Sequence, residues 1–144
     1  MGIPIQVVMD CADPSRLSAF WASALGYELQ PPPEGFESWE AFLRSVGVPE
    51  AEWNSRSAVV DPEAKGPRLY FQRVPEPKTV KNRVHMDVNA GGGREVPDDE
   101  RRARVAVKVD ELVAAGASVF KEFDQDDEHW VVMQDPEGNE FCVQ

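Results

Sequence analysis

Apolar positions along this chain alternate between two periods, and the switches between them mark its elements. Residues 4–10, Pro-Ile-Gln-Val-Val-Met-Asp, form a β-branched run that reads as a strand, ended by Ala12-Asp13-Pro14. A helix follows: Asp13 is placed to cap it, Pro14 suits its first turn, and Leu17, Phe20, Trp21, Ala24 and Leu25 repeat at helical spacing up to Gly26. Tyr27–Gln30 reads as a short strand closed by Pro31-Pro32-Pro33, which cannot donate to a sheet. Ser38 then caps a short helix through Leu43. Trp53–Val60 and Pro67–Val74 read as a strand pair around the turn-rich residues 61–66.

The same order returns in the second half. Lys81–Asn89 reads as a strand, with Ala90-Gly91-Gly92-Gly93 as a mobile loop behind it. A helix starts near Asp98, where three acidic residues favour the positive end of the helix dipole. Its stripe is Val105, Val109, Leu112 and Val113, and it stops at Gly116. Ala117–Phe120, His129–Gln134 and Glu140–Val143 are three further strands, the last two joined by Asp135-Pro136-Glu137-Gly138-Asn139. The prediction is an α+β chain of two βαβββ modules, about 1–78 and 79–144, whose mixed sheets enclose a cleft within a single domain.

Composition narrows the function classes. A net charge of −11 with scattered Lys and Arg excludes a nucleic-acid groove and disfavours anionic membranes. The opening residues carry no basic, apolar leader, so a cytoplasmic protein is expected. Cys11 and Cys142, each within an apolar segment and far apart, read as reduced core thiols. No nucleophile elbow is present, and Gly91-Gly92-Gly93 lacks the Lys-Ser/Thr of a phosphate loop. Glu28, Glu122 and Glu140 show no spacing that pairs two of them as acid and base.

Three segments together give a more specific signal: Asp13-Pro14 followed by Phe20-Trp21 and Leu25-Gly26-Tyr27, the strand Val84-His85-Met86-Asp87, and the turn Asp135-Pro136-Glu137-Gly138-Asn139 before Glu140-Phe141. With the repeated βαβββ order they resemble the glyoxalase/bleomycin-resistance/extradiol dioxygenase family, the vicinal oxygen chelate superfamily. The resemblance implies a homodimer and, in metal-using members, four ligands on inward-facing strands, one on the first and one on the last strand of each module. Carried over, those positions are Gln6 and His85 on the first strands, Tyr70 (or Gln72 in a register shifted by two) on the fourth, and Cys142 on the last. Imidazole suits zinc, nickel or iron, but Gln6, Tyr70 and His85 bring no carboxylate, and Cys142 serves only as a thiolate. The standard metal centre is therefore not expected.

Two readings of function remain. The first is a metal-independent protein that binds a small, partly aromatic molecule, with Gln6, Trp39, Trp53, Tyr70, Gln72 and Trp130 as candidate lining residues. The second is a lyase, epimerase or dioxygenase using Gln6 and His85 around an atypical zinc, nickel, iron or manganese site, with His85, Tyr70 and Cys142 as catalytic candidates. Tyr70 and Cys142 are also candidate proton donors without metal. His129, among Asp126, Asp127 and Glu128, reads as a solvated loop residue.

Overall fold

The β-branched run at the start pairs with a strand sixty residues away, not with its neighbour in sequence. A computed structural model describes all of residues 1–144. In it β1 (Val7–Cys11) lies parallel to β4 (Leu69–Arg73), in the register Val8 to Tyr70 and Asp10 to Gln72. A parallel pair needs a crossover, and α1 (Pro14–Leu25) supplies it. The remaining strands, β2 (Glu28–Leu29) and β3 (Arg56–Val60), complete an antiparallel meander, giving the order β1-β4-β3-β2.

The second half repeats this plan. β5 (Asp87–Val88) runs parallel to β8 (Glu140–Val143), α3 (Asp98–Ala114) crosses between them, and β6 (Ser118–Gln125) and β7 (Glu128–Gln134) complete the order β5-β8-β7-β6. The architecture is the expected α+β arrangement of two modules, each with a four-stranded mixed sheet. The chain divides into two compact units, Met1–Pro77 and Lys78–Gln144.

Each helix covers one face of its own sheet. In the first unit Leu17, Phe20, Trp21 and Ala24 are buried, as are Val59, Leu69 and Phe71 of the sheet. Asp13 caps α1 as its position predicts, its Oδ1 accepting from the Arg16 amide at 3.2 Å and from Asn54 Nδ2 at 2.8 Å. Gly26 closes the helix at φ 67°, a left-handed conformation that a side chain disfavours. Ser38 likewise caps α2 (Trp39–Ser45) by accepting from the Ala41 amide. In the second unit Val105 and Leu112 are buried by α3, as are Val131, Met133, Phe141 and Val143 of the sheet. Val113, placed in the stripe by spacing, is instead 47% exposed.

Four strand boundaries differ from the sequence reading for local reasons. The first strand starts at Val7, whose amide is the first to find a partner, Arg68 O at 3.1 Å. Glu50–Ser55 form a 3-10 turn behind Pro49, so Trp53 lies before the strand, and Asn54 is spent bridging Asp13 and the Ser15 amide. Residues 81–86 lie outside the strand, which is only Asp87–Val88; the Glu140 carboxylate takes the Asn82 amide at 3.0 Å, and β8 meets this segment first at Met86 O. The strand expected to stop at Phe120 runs to Gln125, because Asp126 and Asp127 take φ of 52° and 63° and close a tight hairpin. Aspartate tolerates that conformation better than most residues. His129 is therefore a strand residue with a side chain only 10% exposed, and not a solvated loop residue.

Asp61 holds the turn between β3 and β4 by accepting from the Glu63, Lys65 and Gly66 amides at 2.8–3.0 Å. Those amides, led by that of Glu63, lower its pKa below the ordinary 3.8. A depressed carboxylate stabilises the fold above its unfolded pKa, and that contribution is lost as pH falls through the folded value. Urea midpoints measured from pH 5 downward should decline, and Asp61→Asn should remove part of that decline; an identical pH profile in the variant would refute this. Phe71, fully buried, should cost about 3–5 kcal/mol on truncation to alanine, read from urea unfolding of the full chain.

Candidate metal centre and ligand-binding face

The parallel pairing of β5 with β8 sets Asp87 opposite Cys142. His85, just before the strand, brings its Nε2 to 3.4 Å from Asp87 Oδ1, so the two side chains stand on the same side. That side is opposite α3, because Val88 and Val143 are buried on the helix side. The outcome is a cluster of three donor types. One ligand atom each from His85, Asp87 and Cys142 lies within 4.8 Å of the others. His85 Nε2 is 3.4 Å from Asp87 Oδ1, with both side chains about half exposed, whereas Cys142 is 8% exposed.

The protonation of Cys142 follows from this placement. Burial raises the thiol pKa most, the Asp87 charge adds to it, and the hydrogen bond to Asp87 adds further; nearby Lys81 pulls the other way. Without a cation the thiol therefore keeps its proton and shares it with Asp87. A divalent cation supplies the charge that reverses this preference.

The donor set fits such a cation. One imidazole nitrogen, one carboxylate oxygen and one thiolate sulfur are three ligands of the kind that hold zinc with a fourth position open. Two anionic donors balance the charge. Bond lengths of about 2.0–2.3 Å place tetrahedral ligand atoms roughly 3.3–3.8 Å apart, a separation the His85–Asp87 pair already has. Asp87 brings to this cluster a carboxylate that the residues singled out from sequence lacked. Its signal was the i, i+2 spacing His85-Met86-Asp87, which brings His85, just before the strand, to the same side as Asp87 at its start.

Beyond the donors, the same face carries aromatic surface. Cys142 pairs with Val132, and two residues along β7 from Val132, about 7 Å away, Trp130 stacks on Phe123 at 5.1 Å between ring centroids and 7° between planes. Lys121 Nζ sits 4.7 Å above the Phe123 ring.

The first unit's candidates are already engaged with neighbouring residues. Gln6 Oε1 accepts from Arg68 Nη1 at 2.5 Å, and Arg68 Nε donates to Gln30 at 2.6 Å while its guanidinium lies over Tyr70. Gln72 Nε2 donates to Asp10 at 2.8 Å. Gln6, Tyr70 and Gln72 thus belong to a polar network on the face away from α1, and they bring no carboxylate of their own. Trp39 and Trp53 lie in the insertion between β2 and β3, where their indoles donate to Gln30 O at 2.7 Å and Val48 O at 3.0 Å. Of the residues singled out from sequence, the structure gathers His85 with Cys142, places Trp130 on the same sheet, and puts Gln6, Tyr70, Gln72, Trp39 and Trp53 in the other unit.

A family model described as a glyoxalase-like domain matches residues 6–144. The chain belongs to that family. Its superfamily resemblance agrees with solved glyoxalase-like structures. A glyoxalase/bleomycin resistance protein/dioxygenase family enzyme from Burkholderia phytofirmans PsJN is 18% identical, with 96% of this chain and 94% of that one covered and a TM-score of 0.58. A mutant of the fosfomycin resistance protein FosX from Listeria monocytogenes, complexed with Mn(II) and 1S,2S-dihydroxypropylphosphonic acid, is 10% identical over 99% of this chain and 88% of that one, with a TM-score of 0.61. TioX from Micromonospora sp. ML1 is 15% identical over 99% and 97%, with a TM-score of 0.53. At these identities the likeness is one of fold. No curated protein matches the chain. No helix of this glyoxalase-like protein is long and apolar enough to cross a membrane.

Proposed function

We propose that this glyoxalase-like protein binds a small organic molecule on the open face of the second unit's sheet, beside a borderline divalent cation held by His85, Asp87 and Cys142. The convergence of those three donors within 4.8 Å carries the reading. Zinc is the preferred ion, because imidazole and thiolate favour it over oxygen-seeking manganese. When bound, the cation supplies Lewis-acid polarisation of a ligand oxygen.

The chain's own residues do the remaining work. Asp87 accepts the hydrogen bond of the Cys142 thiol, and, with the thiol deprotonated to solvent, His85, Asp87 and Cys142 would hold the cation. The Phe123–Trp130 stack offers the apolar surface against which a carbon skeleton or ring is buried.

Metal-free binding of an aromatic molecule is the second reading. It is favoured by the same stack and by the first unit's amides, which are already hydrogen-bonded.

Elemental mass spectrometry of untagged protein purified without chelator, followed by zinc titration calorimetry, distinguishes the two. The metal reading predicts about one zinc per chain, with affinity reduced at least tenfold, a change of roughly 1.4 kcal/mol, in both His85→Ala and Cys142→Ala. Protein that takes up no zinc, nickel, iron or manganese, yet whose tryptophan fluorescence is quenched by an aromatic ligand, would support the metal-free reading instead.

A further inference from the structure

On the first unit, the sheet face away from α1 carries an arginine whose charge no carboxylate balances. Arg68, half-buried, precedes β4 by one residue and lies on the side of Tyr70, opposite the buried Leu69 and Phe71. Its Nε donates to Gln30 Oε1 at 2.6 Å, its Nη1 donates to Gln6 Oε1 at 2.5 Å, and its guanidinium carbon is 5.2 Å from the Tyr70 ring centroid. None of these partners is charged. At the far end of the same strand Arg73 is, by contrast, paired with Glu52. Asp10, opposite Gln72 in the register, is held by the Gln72 amide.

The hydrogen-bonding sense of this network is fixed, because a guanidinium has donors only. Both glutamines must turn their oxygens to Arg68 and their NH2 groups away from it. With those oxygens spent, Arg68 Nη2, the Gln6 and Gln30 Nε2 groups and the Tyr70 hydroxyl are left without a hydrogen-bond partner. The chain's buried side-chain nitrogens and oxygens that lack a partner are Arg101 Nε and His129 Nδ1, so the free groups around Arg68 reach solvent.

This is the arrangement that receives an anion. Neutral amides orient the guanidinium without neutralising it, which carboxylates in their place would do, and every nitrogen left over is a donor. Hydrogen bonds from a guanidinium to an oxygen anion are charge-assisted and stronger than those between neutral groups. A divalent cation between Gln6 and Tyr70 would instead face the positive charge of Arg68. Val8, 48% exposed and in register with Tyr70, offers apolar surface beside the donors.

We propose that Arg68 anchors an oxyanion site on the first unit, for the anionic head group of a small organic molecule. Oxygens of the head group accept from Arg68 Nη2 and the Tyr70 hydroxyl, and the carbon skeleton rests against Val8. The site goes beyond the metal reading and shares no residue with the cluster of His85, Asp87 and Cys142.

Benzoate and phenyl phosphate are the probes and benzamide the neutral control, titrated into the full-length protein and followed by NMR at the side-chain amides of Gln6 and Gln30 in the first unit. At least one of the two anions should shift those signals with a millimolar Kd, and benzamide should bind at least about tenfold more weakly. Arg68→Gln should weaken the anion at least about tenfold, and Tyr70→Phe, which keeps the ring and removes the hydroxyl, about threefold. If Arg68→Gln fails to fold, Tyr70→Phe carries the test. The proposal is overturned if neither anion moves the Gln6 and Gln30 signals, if benzamide binds as tightly as the anions, or if the folded variants bind the anion as tightly as the parent.

Discussion

The parallel pairing of the first and last strand in each module is the constraint on which the rest of this structure depends. It obliges the chain to cross over with a helix, and the helix then seals one face of the sheet. The other face is left for polar and aromatic side chains. Because the pairing joins residues about sixty positions apart in the first unit and fifty-five in the second, it also decides which distant residues become neighbours. Asp87 meets Cys142 only through this register.

The two modules use the same geometry for different ends. In the first, the open face is occupied by a polar network centred on Arg68, with Gln6, Gln30 and Tyr70 around it. In the second, the corresponding face holds a thiol, a carboxylate and an imidazole that are only loosely committed to one another, next to stacked aromatic rings. A buried thiol that shares its proton with a carboxylate gains a much better partner in a divalent cation. On the proposed metal reading, Asp87, two residues beyond His85, supplies the carboxylate that the resemblance places on the last strand.

Much of the fold was legible because its punctuation is chemical. Asp13, Pro14 and Gly26 bracket α1, Ser38 caps α2, and the Asp135 turn closes on the Asn139 and Glu137 amides. What was hidden depended on partners distant in sequence or on unusual turn residues. Nothing local reveals that Glu140 holds Asn82 and leaves β5 so short, or that two aspartates form the tip of a hairpin and carry His129 into a strand. The proposed donor cluster was only partly visible in the sequence, whose metal candidates were Gln6 and His85. His85 and Cys142 follow from the resemblance, whereas Asp87 required attention to the face it shares with His85.

The most direct test of the account is the absorption spectrum of the protein loaded with cobalt(II) in place of zinc. If His85, Asp87 and Cys142 share one ion, the spectrum shows a near-ultraviolet thiolate-to-cobalt charge-transfer band that Cys142→Ser abolishes and His85→Ala weakens. A cobalt-loaded protein without that band, or one whose band survives loss of Cys142, would contradict the assignment of a common centre.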